Sequence, residues 1–298
     1  MKTNSIFAKN NQRHDITRMN QLPLVSVICL CHNHAPFVRE SINSVWKQSY
    51  PNIELIVVDD GSSDGSKEAI KECFNGKDVS FIDLPTSIGN CAAFNKGFFK
   101  SSGKYIIDLA ADDCLMPERV LKGVNSFIQS DAGVTFCDVL NVDKDCAPLN
   151  THYKRNQKDE LIEKVPYGDV YLELIKRYFI SPPSMMIKRD VLEELNGYDE
   201  SLSYEDFDFW IRSARNWNYA FTDEVLVKKR IVPGSLSDMQ FRSKSIHQKT
   251  TLKVCQKIKE LNRTKAEDLA LRIRCLYEIK QCIVQRNFSL IPGFIKLI

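Results

Sequence analysis

Short apolar runs alternate with segments of helical periodicity through the first half of this 298-residue chain. The apolar runs predict five strands, at residues 24–30, 54–60, 79–84, 104–110 and 134–142. Strands that alternate with helices favour a mostly parallel central sheet with helices on both faces. We therefore expect an α/β fold in which ligands bind at the carboxyl ends of the strands.

The bulk composition is that of an ordinary globular protein, with 43% hydrophobic and 27% charged residues. The ten cysteines form no CxxC pair, which favours a reducing compartment. No apolar run approaches the roughly 18 residues of a membrane-spanning helix, and no signal-peptide pattern opens the chain. We expect a cytoplasmic protein.

The net charge of +3 conceals a basic C-terminal region. Residues 241–298 contain 13 Lys or Arg and 4 Asp or Glu. Thr264 and Glu267 fit a helix capping box. An apolar stripe follows, made of Leu269, Ile273, Leu276 and Ile283.

Two hypotheses fit this basic region. The first is a pair of amphipathic helices packed on the α/β domain or on another subunit. The second is peripheral attachment to the inner face of an anionic membrane, with SLIPGFIKLI (289–298) inserted shallowly.

Three acidic clusters follow apolar runs: Asp59-Asp60, Asp112-Asp113 and Glu205-Asp206. A carboxylate at a strand end can accept hydrogen bonds from a nucleotide, hold Mg²⁺ or Mn²⁺, or act as a general base. Each cluster also has a structural alternative, since acidic residues cap turns and helix N-termini. Because the parallel sheet would bring strand ends together, we favour a common site.

The motifs occur in an order that resembles the family 2 glycosyltransferases, whose nucleotide-sugar-binding domain has the type A fold. The opening block is VSVICLCHNHAPFVRESINSVWKQSYPNIELIVVDDGSSDGS. The second is SIGNCAAFNKGFFKSSGKYIIDLAADDCLMPERV, and the third is GYDESLSYEDFDFWIR. The resemblance covers roughly residues 23–232 and implies a single Rossmann-like type A domain with a helical C-terminal tail.

The resemblance also implies roles for individual residues. Asp206 would be the catalytic base, with Glu205 beside it. Asp113 would be the metal ligand, and Asp112 would contact the donor near its ribose or sugar and share the metal. The expected nucleotide-binding residues are Leu30, Cys31, His32, Asn33, Asp59, Asp60, Gly61 and Asp112.

One position departs from the family pattern. Many members have an Asp two residues before the paired acids, where this chain has Ala110. We therefore expect a reduced ligand set for Mn²⁺ or Mg²⁺, namely Asp113 with Asp112.

The expected organisation is an N-terminal extension (1–22), a catalytic domain (23–240) and the basic helical region (241–298). The catalytic domain would divide into a nucleotide-binding half (23–145) and an acceptor-binding half (146–240). We expect an inverting transfer from a nucleotide-diphosphate sugar, with UDP favoured, to a glycan or lipid-linked acceptor of cell-surface polysaccharide synthesis. No nucleic-acid partner is expected, and homo-oligomerisation is left open.

Two alternative functions differ in class. The first is a sugar-nucleotide-binding module without catalysis. The second is a signalling receiver domain, which shares the local string DCLMP (113–117). Receivers, however, place their acidic pair after the first strand, and here a complete strand-helix unit precedes Asp59.

Overall fold

The computed structural model describes residues 22–74, 76–232, 245 and 247–298. The predicted extension 1–22 therefore lies outside the described residues, apart from Leu22. The predicted boundary at 240/241 also falls outside them.

The five strands predicted for the first half are found, each within one residue of the predicted ends. The strands are β1 Val25–Cys31, β2 Ile53–Asp60, β3 Ser80–Leu84, β4 Tyr105–Ala110, β5 Cys114–Leu115, β6 Val134–Val142, β7 Pro148–Thr151, β8 Met186–Lys188 and β9 Tyr219–Arg230.

The helices of the described residues occupy the connections between strands and the C-terminal region. They are α1 Val38–Trp46, α2 Ser66–Phe74, α3 Asn90–Lys100, α4 Arg119–Gln129, α5 Tyr171–Lys176, α6 Arg189–Glu194, α7 Asp206–Ala214, α8 His247–Leu261, α9 Lys265–Val284 and α10 Ile291–Ile295. Two short 3₁₀ turns, Pro182–Ser184 and Phe288–Leu290, complete the set.

The described strands form one sheet in the order β3-β2-β1-β4-β8-β6-β9-β5, and β7 pairs with β6. Strands β3, β2, β1 and β4 are mutually parallel, and β6 is parallel to β9. The short strand β8 is antiparallel to both of its neighbours. The carboxyl ends of β1, β2, β4, β6 and β9 consequently lie at one edge, as expected for a mostly parallel α/β sheet.

Both faces of the sheet are covered, which explains why β1 is buried along its whole length. Successive side chains point to opposite faces. Ile28 and Leu30 join the core beneath α3, α5 and α7, whereas Val27 and Cys29 join the core beneath α1 and α4. All ten cysteines are free thiols, and nine of them are buried.

The helices α8, α9 and α10 extend the first of these cores. Val254, Leu271 and Phe294 are fully buried within it. The expectation that SLIPGFIKLI inserts into a membrane is therefore wrong for Phe294, because that ring is packed inside the protein. No helix of the described residues is both long and apolar enough to cross a bilayer.

The predicted capping box at the start of α9 is present. The Glu267 N–H donates to Thr264 Oγ1 over 3.2 Å, and the Thr264 N–H donates to Glu267 Oε2 over 3.0 Å. Arg215 Nη1 lies 3.0 Å from Glu267 Oε1, so the cap also ties α9 to the end of α7.

We expect Thr264→Ala to lower the free energy of unfolding by about 1 kcal/mol, because an N–H of the first turn loses its acceptor. Thr264→Ser keeps the hydroxyl and should stay near the wild-type value. Urea denaturation of the three proteins measures this. Equal midpoints for Thr264→Ala and the wild type would show that the cap contributes nothing.

Candidate active site

The loops that follow β1 and β2 are hydrogen-bonded to each other at the carboxyl edge of the sheet. The Asn33 N–H donates to Ser62 Oγ, and the Ser63 N–H donates to Asn33 Oδ1, each over 2.9 Å. Asn33 has a φ of 57°, a left-handed conformation that Asn tolerates better than most residues. His32 Nδ1 lies 2.6 Å from the carbonyl oxygen of Asp60. The loops that follow β1 and β2 therefore form one hydrogen-bonded surface.

The predicted nucleotide-binding residues divide by exposure. His32 and Asn33 are exposed, whereas the side chains of Leu30 and Cys31 lie in the core. Burial raises the pKa of the Cys31 thiol to about 11, so it stays protonated at neutral pH. Leu30 and Cys31 would therefore meet a nucleotide through the backbone, as predicted.

Asp59 and Asp60 are both buried, and Asp59 accepts from its own loop whereas Asp60 accepts from the segment before α3. Asp59 Oδ2 accepts from the Ser62 N–H over 2.9 Å. Asp60 accepts three hydrogen bonds from the segment before α3: from the Ile88 N–H at 2.7 Å, Ser87 Oγ at 2.7 Å and the Gly89 N–H at 3.1 Å. In this conformation Asp60 fixes the 87–89 segment, so its proposed contact with a nucleotide remains a prediction.

Gly61 is required where these loops touch. Its φ is +68°, and a Cβ there would lie 2.4 Å from the Ser87 nitrogen. No other residue would fit between Asp60 and the segment it holds.

Asp112 and Asp113 follow β4, and Arg230 at the end of β9 holds them. The Arg230 N–H donates to Asp113 Oδ1 over 2.8 Å, and its Nε donates to the Asp112 carbonyl over 3.0 Å. The same guanidinium donates to Glu40 Oε2 over 2.6 Å. His34 Nε2 lies 3.9 Å from Asp112 Oδ2, which connects the loop after β1 to this cluster.

Glu205 and Asp206 stand at the start of α7, where the helix dipole favours a carboxylate. Asn90 Nδ2, at the start of α3, donates to Glu205 Oε2 over 2.6 Å. Since Asp60 holds the residues just before Asn90, the first and third clusters are linked through a single short segment. Asp206 Oδ1 is buried and accepts no hydrogen bond from the described residues.

The structure thus brings the three clusters together and adds residues that the sequence analysis missed. Asp108 on β4 accepts from the Tyr198 hydroxyl over 3.2 Å and lies close enough to Glu205 and Asp113 for their charges to affect its ionisation. Lys229 is similarly close to Asp113 and Asp206. Asp108 did carry a signal, because an acid within an apolar strand is unusual.

Desolvation is the main cause that raises the pKa of Asp206 well above its ordinary value, followed by the charge of Glu205. Desolvation and Glu205 act in the same direction on the pKa of Asp108. Desolvation and Asp112 raise the pKa of Asp113. Carboxyls so placed bind protons more tightly, which suits a base that works near neutral pH.

Asp112 and Asp113 fit a divalent cation by their chemistry. They are adjacent hard oxygen donors, and the negative charge of Asp112 helps to raise the pKa of Asp113 when no cation is present. Within the described ranges, no group of three or more His, Cys, Asp or Glu side chains forms a cage for a metal. Few protein ligands are expected where diphosphate oxygens and water complete the shell.

The mostly parallel α/β sheet, with paired carboxylates at its carboxyl edge, has the type A architecture of glycosyltransferases. The chain belongs to glycosyl transferase family 2, since that family's model matches residues 26–195. The resemblance inferred from the motifs is thereby confirmed, and the receiver-domain alternative is set aside.

The similar curated proteins are named as glycosyltransferases. An uncharacterised glycosyltransferase of Methanocaldococcus jannaschii is 31% identical over 70% of this chain and 71% of its own length. One from Rickettsia prowazekii is 31% identical over 70% of this chain and 64% of its own. A putative teichuronic acid biosynthesis glycosyltransferase of Bacillus subtilis is 24% identical over 75% of this chain and 85% of its own.

Two solved structures share the fold. S. aureus TarS in complex with UDP-GlcNAc superposes with a TM-score of 0.68 at 18% identity, covering 92% of this chain and 79% of that chain. A mannosyltransferase of Pyrobaculum calidifontis, in complex with GDP-Man and Mn²⁺, superposes with a TM-score of 0.61 at 14% identity. It covers 92% of this chain and 85% of that chain.

The raised pKa of Asp206 predicts a pH-dependent difference in stability. The folded state binds this proton more tightly than the unfolded state does, so the contribution of Asp206 to stability falls as pH rises from about 4. Asp206→Asn removes the charge. We expect it to melt higher than the wild type at pH 8, with the difference vanishing near pH 4. Each 1 kcal/mol corresponds to about 2–4 °C.

Asp145→Asn, on an exposed acid, is the control and should track the wild type at every pH. Melting curves between pH 4 and pH 8 measure the difference. An Asp206→Asn protein that is no more stable than the wild type at pH 8 would contradict the assignment of a strained, desolvated carboxylate.

Proposed function

We propose that this protein is an inverting, metal-dependent glycosyltransferase that moves a sugar from a nucleotide-diphosphate donor, with UDP favoured, to an acceptor hydroxyl. The observation that carries the proposal is the proximity of Asp108, Asp113, Glu205 and Asp206 between the end of β4 and the start of α7, with Lys229 near two of them. A purely structural set of acids would be dispersed or fully paired. Here Asp206 keeps a buried oxygen without a hydrogen-bond partner among the described residues.

The donor is assigned to the surface built by the loops after β1 and β2. His32 and Asn33 are the exposed residues there, and the backbones of Leu30 and Cys31 lie beside them. The carboxylates of Asp59 and Asp60 would shape this surface, and Asp60 would also contact the base or ribose if the 87–89 segment moves. Asp112 is the more exposed member of its pair and faces the same cleft.

A divalent cation held by Asp113 with Asp112 would offset the negative charge that develops on the diphosphate leaving group. Lys229 adds a positive charge to the same region. Arg230 holds the two aspartates in place through the backbone of Asp112 and the carboxylate of Asp113.

Asp206 is assigned as the general base. It takes the proton of the acceptor hydroxyl as the oxygen forms its bond to the anomeric carbon. The bond from that carbon to the diphosphate breaks on the opposite face, and the electron pair leaves with the diphosphate. One displacement of this kind inverts the anomeric configuration. Desolvation first, and then the charge of Glu205, which Asn90 holds, raise the pKa of Asp206 above its ordinary value.

We propose a glycan or lipid-linked acceptor of cell-surface polysaccharide synthesis. Support comes from the relative whose name places it in teichuronic acid biosynthesis. UDP as the favoured carrier is supported by the related fold that was solved with UDP-GlcNAc.

We expect Asp206→Asn to lower transfer at least 1,000-fold and to leave the Kd for UDP within a factor of about three. Transfer should fall because the Asn amide cannot accept the proton. UDP binding should be retained because residue 206 is not part of the surface assigned to the donor. Calorimetry with UDP and chromatography of the reaction products measure the two quantities. Unchanged turnover would remove Asp206 from the mechanism, and absent turnover in the wild type with intact UDP binding would favour a non-catalytic binding module.

We expect Asp113→Ala to weaken Mn²⁺-dependent UDP binding by at least tenfold, while the weaker binding measured in EDTA is unchanged. The reason is that the variant removes the predicted metal ligand and leaves intact the surface that is expected to bind the nucleobase. Titration of UDP with and without Mn²⁺ measures this. Asp145→Asn is the matched control, and equal Mn²⁺ dependence in the Asp113→Ala and control proteins would sink the metal assignment.

A further inference from the structure

The outward side of α9 is apolar and uncovered. Leu269, Ile273, Leu276 and Ile283 recur at helical spacing, and each is between 51% and 57% exposed. Two further exposed residues widen the stripe, Tyr277 and Val284. The sequence predicted this stripe, but the structure turns it away from the core. Contiguous apolar surface of this kind marks an interaction site.

The inward side of α9 accounts fully for the packing of the helix. Leu271, Cys275 and Cys282 are buried in the main core. Between them, Arg274 Nε donates to Glu278 Oε1 over 2.7 Å, and both residues are buried. The helix therefore does not need its outward apolar residues in order to hold its place.

The charges on the outward side have a single sign. Lys265, Arg272 and Lys280 are exposed and share the side of the stripe, at helical spacing from it. Within the part of the chain that the structure describes, none of the three forms an ion pair with a carboxylate.

The acids of α9 lie elsewhere and are engaged. Glu267 pairs with Arg215, Glu278 pairs with Arg274, and Asp268 lies 3.5 Å from Lys259. The exposed stripe is thus apolar and cationic, with no carboxylate among its members.

The apolar and cationic character of the stripe indicates which partner would cover it. A second copy of the chain, docked by a two-fold axis, would bring the same cations face to face. The chain's own residues 1–21 carry four Lys or Arg and a single Asp, so they too would be repelled. An anionic bilayer complements both properties, since its headgroups attract the cations and its acyl boundary accepts the apolar side chains.

We infer that the outward side of α9 docks this protein onto an anionic phospholipid surface, with the helix lying in the plane of the interface. The apolar residues enter the headgroup boundary, and Lys265, Arg272 and Lys280 contact the phosphates. Phe294 of the tail SLIPGFIKLI belongs to the core and is not available for insertion.

The same helix reaches the catalytic region from its inner side. The Arg274 guanidinium lies 4.5 Å from the ring of Phe207, the residue after Asp206. With a helix diameter of roughly 10 Å, docking through α9 would bring the acceptor side of the cleft close to the membrane. This functional consequence rests on the proposed function and suits a lipid-linked acceptor.

The test is co-sedimentation of the full-length protein with vesicles of phosphatidylcholine and phosphatidylglycerol at 7:3, and with vesicles of phosphatidylcholine alone. The variant is Leu269→Glu/Leu276→Glu, which changes two exposed positions and spares the core. The matched control is Ile128→Glu, an exposed apolar residue of α4 that is 69% accessible and belongs to the opposite face of the sheet.

We expect the wild type and Ile128→Glu to bind the anionic vesicles alike, and the double variant to bind at least tenfold less. Binding of the wild type should fall in 0.5 M NaCl and be weak on phosphatidylcholine alone, because cations and apolar residues act together. Equal binding by the double variant, or no binding by the wild type, would overturn the proposal.

Light scattering of the same proteins separates the remaining outcome. A wild-type dimer that the double variant converts to a monomer, without vesicle binding, would make α9 an interface between copies and would also overturn the proposal. UDP binding by the double variant should equal that of the wild type, which reports correct folding. Vesicle binding does not depend on transfer activity. The membrane proposal can therefore fail while the proposed function stands, and the proposed function can fail while vesicle binding is found.

Discussion

The mutual repulsion of carboxylates at one sheet edge is the constraint on which the rest of this structure depends. Asp60 ends β2 and Asp113 follows β4, and the carboxyl ends of these parallel strands share one edge of the sheet, whereas Asp206 begins α7. Asp60 accepts from backbone N–H groups before α3, Asp113 accepts from the Arg230 N–H, and Asp206 Oδ1 accepts no hydrogen bond from the described residues. Desolvation raises the pKa of Asp206 and Asp113. A cation or a proton would neutralise the negative charge of these two carboxylates.

Arg230 and Asn90 show how the scaffold supports this concentration of charge. Arg230 joins the end of β9 to Asp112, Asp113 and Glu40, and so links the last strand of the catalytic body to the second motif. Asn90 connects Glu205 to the segment that Asp60 fixes. Neither residue belongs to an acidic cluster, yet both determine how far apart the clusters stand. A change in either would alter several carboxylates at once.

The C-terminal helices have one feature that the sequence predicted fully and another that it predicted only in part. The capping box at Thr264 was predictable, because it depends on residues three positions apart. The stripe containing Leu276 was equally visible in the sequence, but its direction was not. Helical periodicity identifies two sides and does not say which one faces the core. The buried Arg274–Glu278 pair placed the polar residues of α9 inward and left the apolar stripe outside.

The sequence by itself determined the strands, the α/β class and the three acidic motifs, because local patterns of burial and turn chemistry encode them. It also located the catalytic candidates Asp113 and Asp206 by number. Only the tertiary structure decided that Asp60 is engaged by the 87–89 segment and that Asp108 and Lys229 lie near the other acids. Those facts depend on which strands become neighbours. Residues that are adjacent in space but distant along the chain leave no periodic pattern in the sequence, since packing sets the contacts across a sheet.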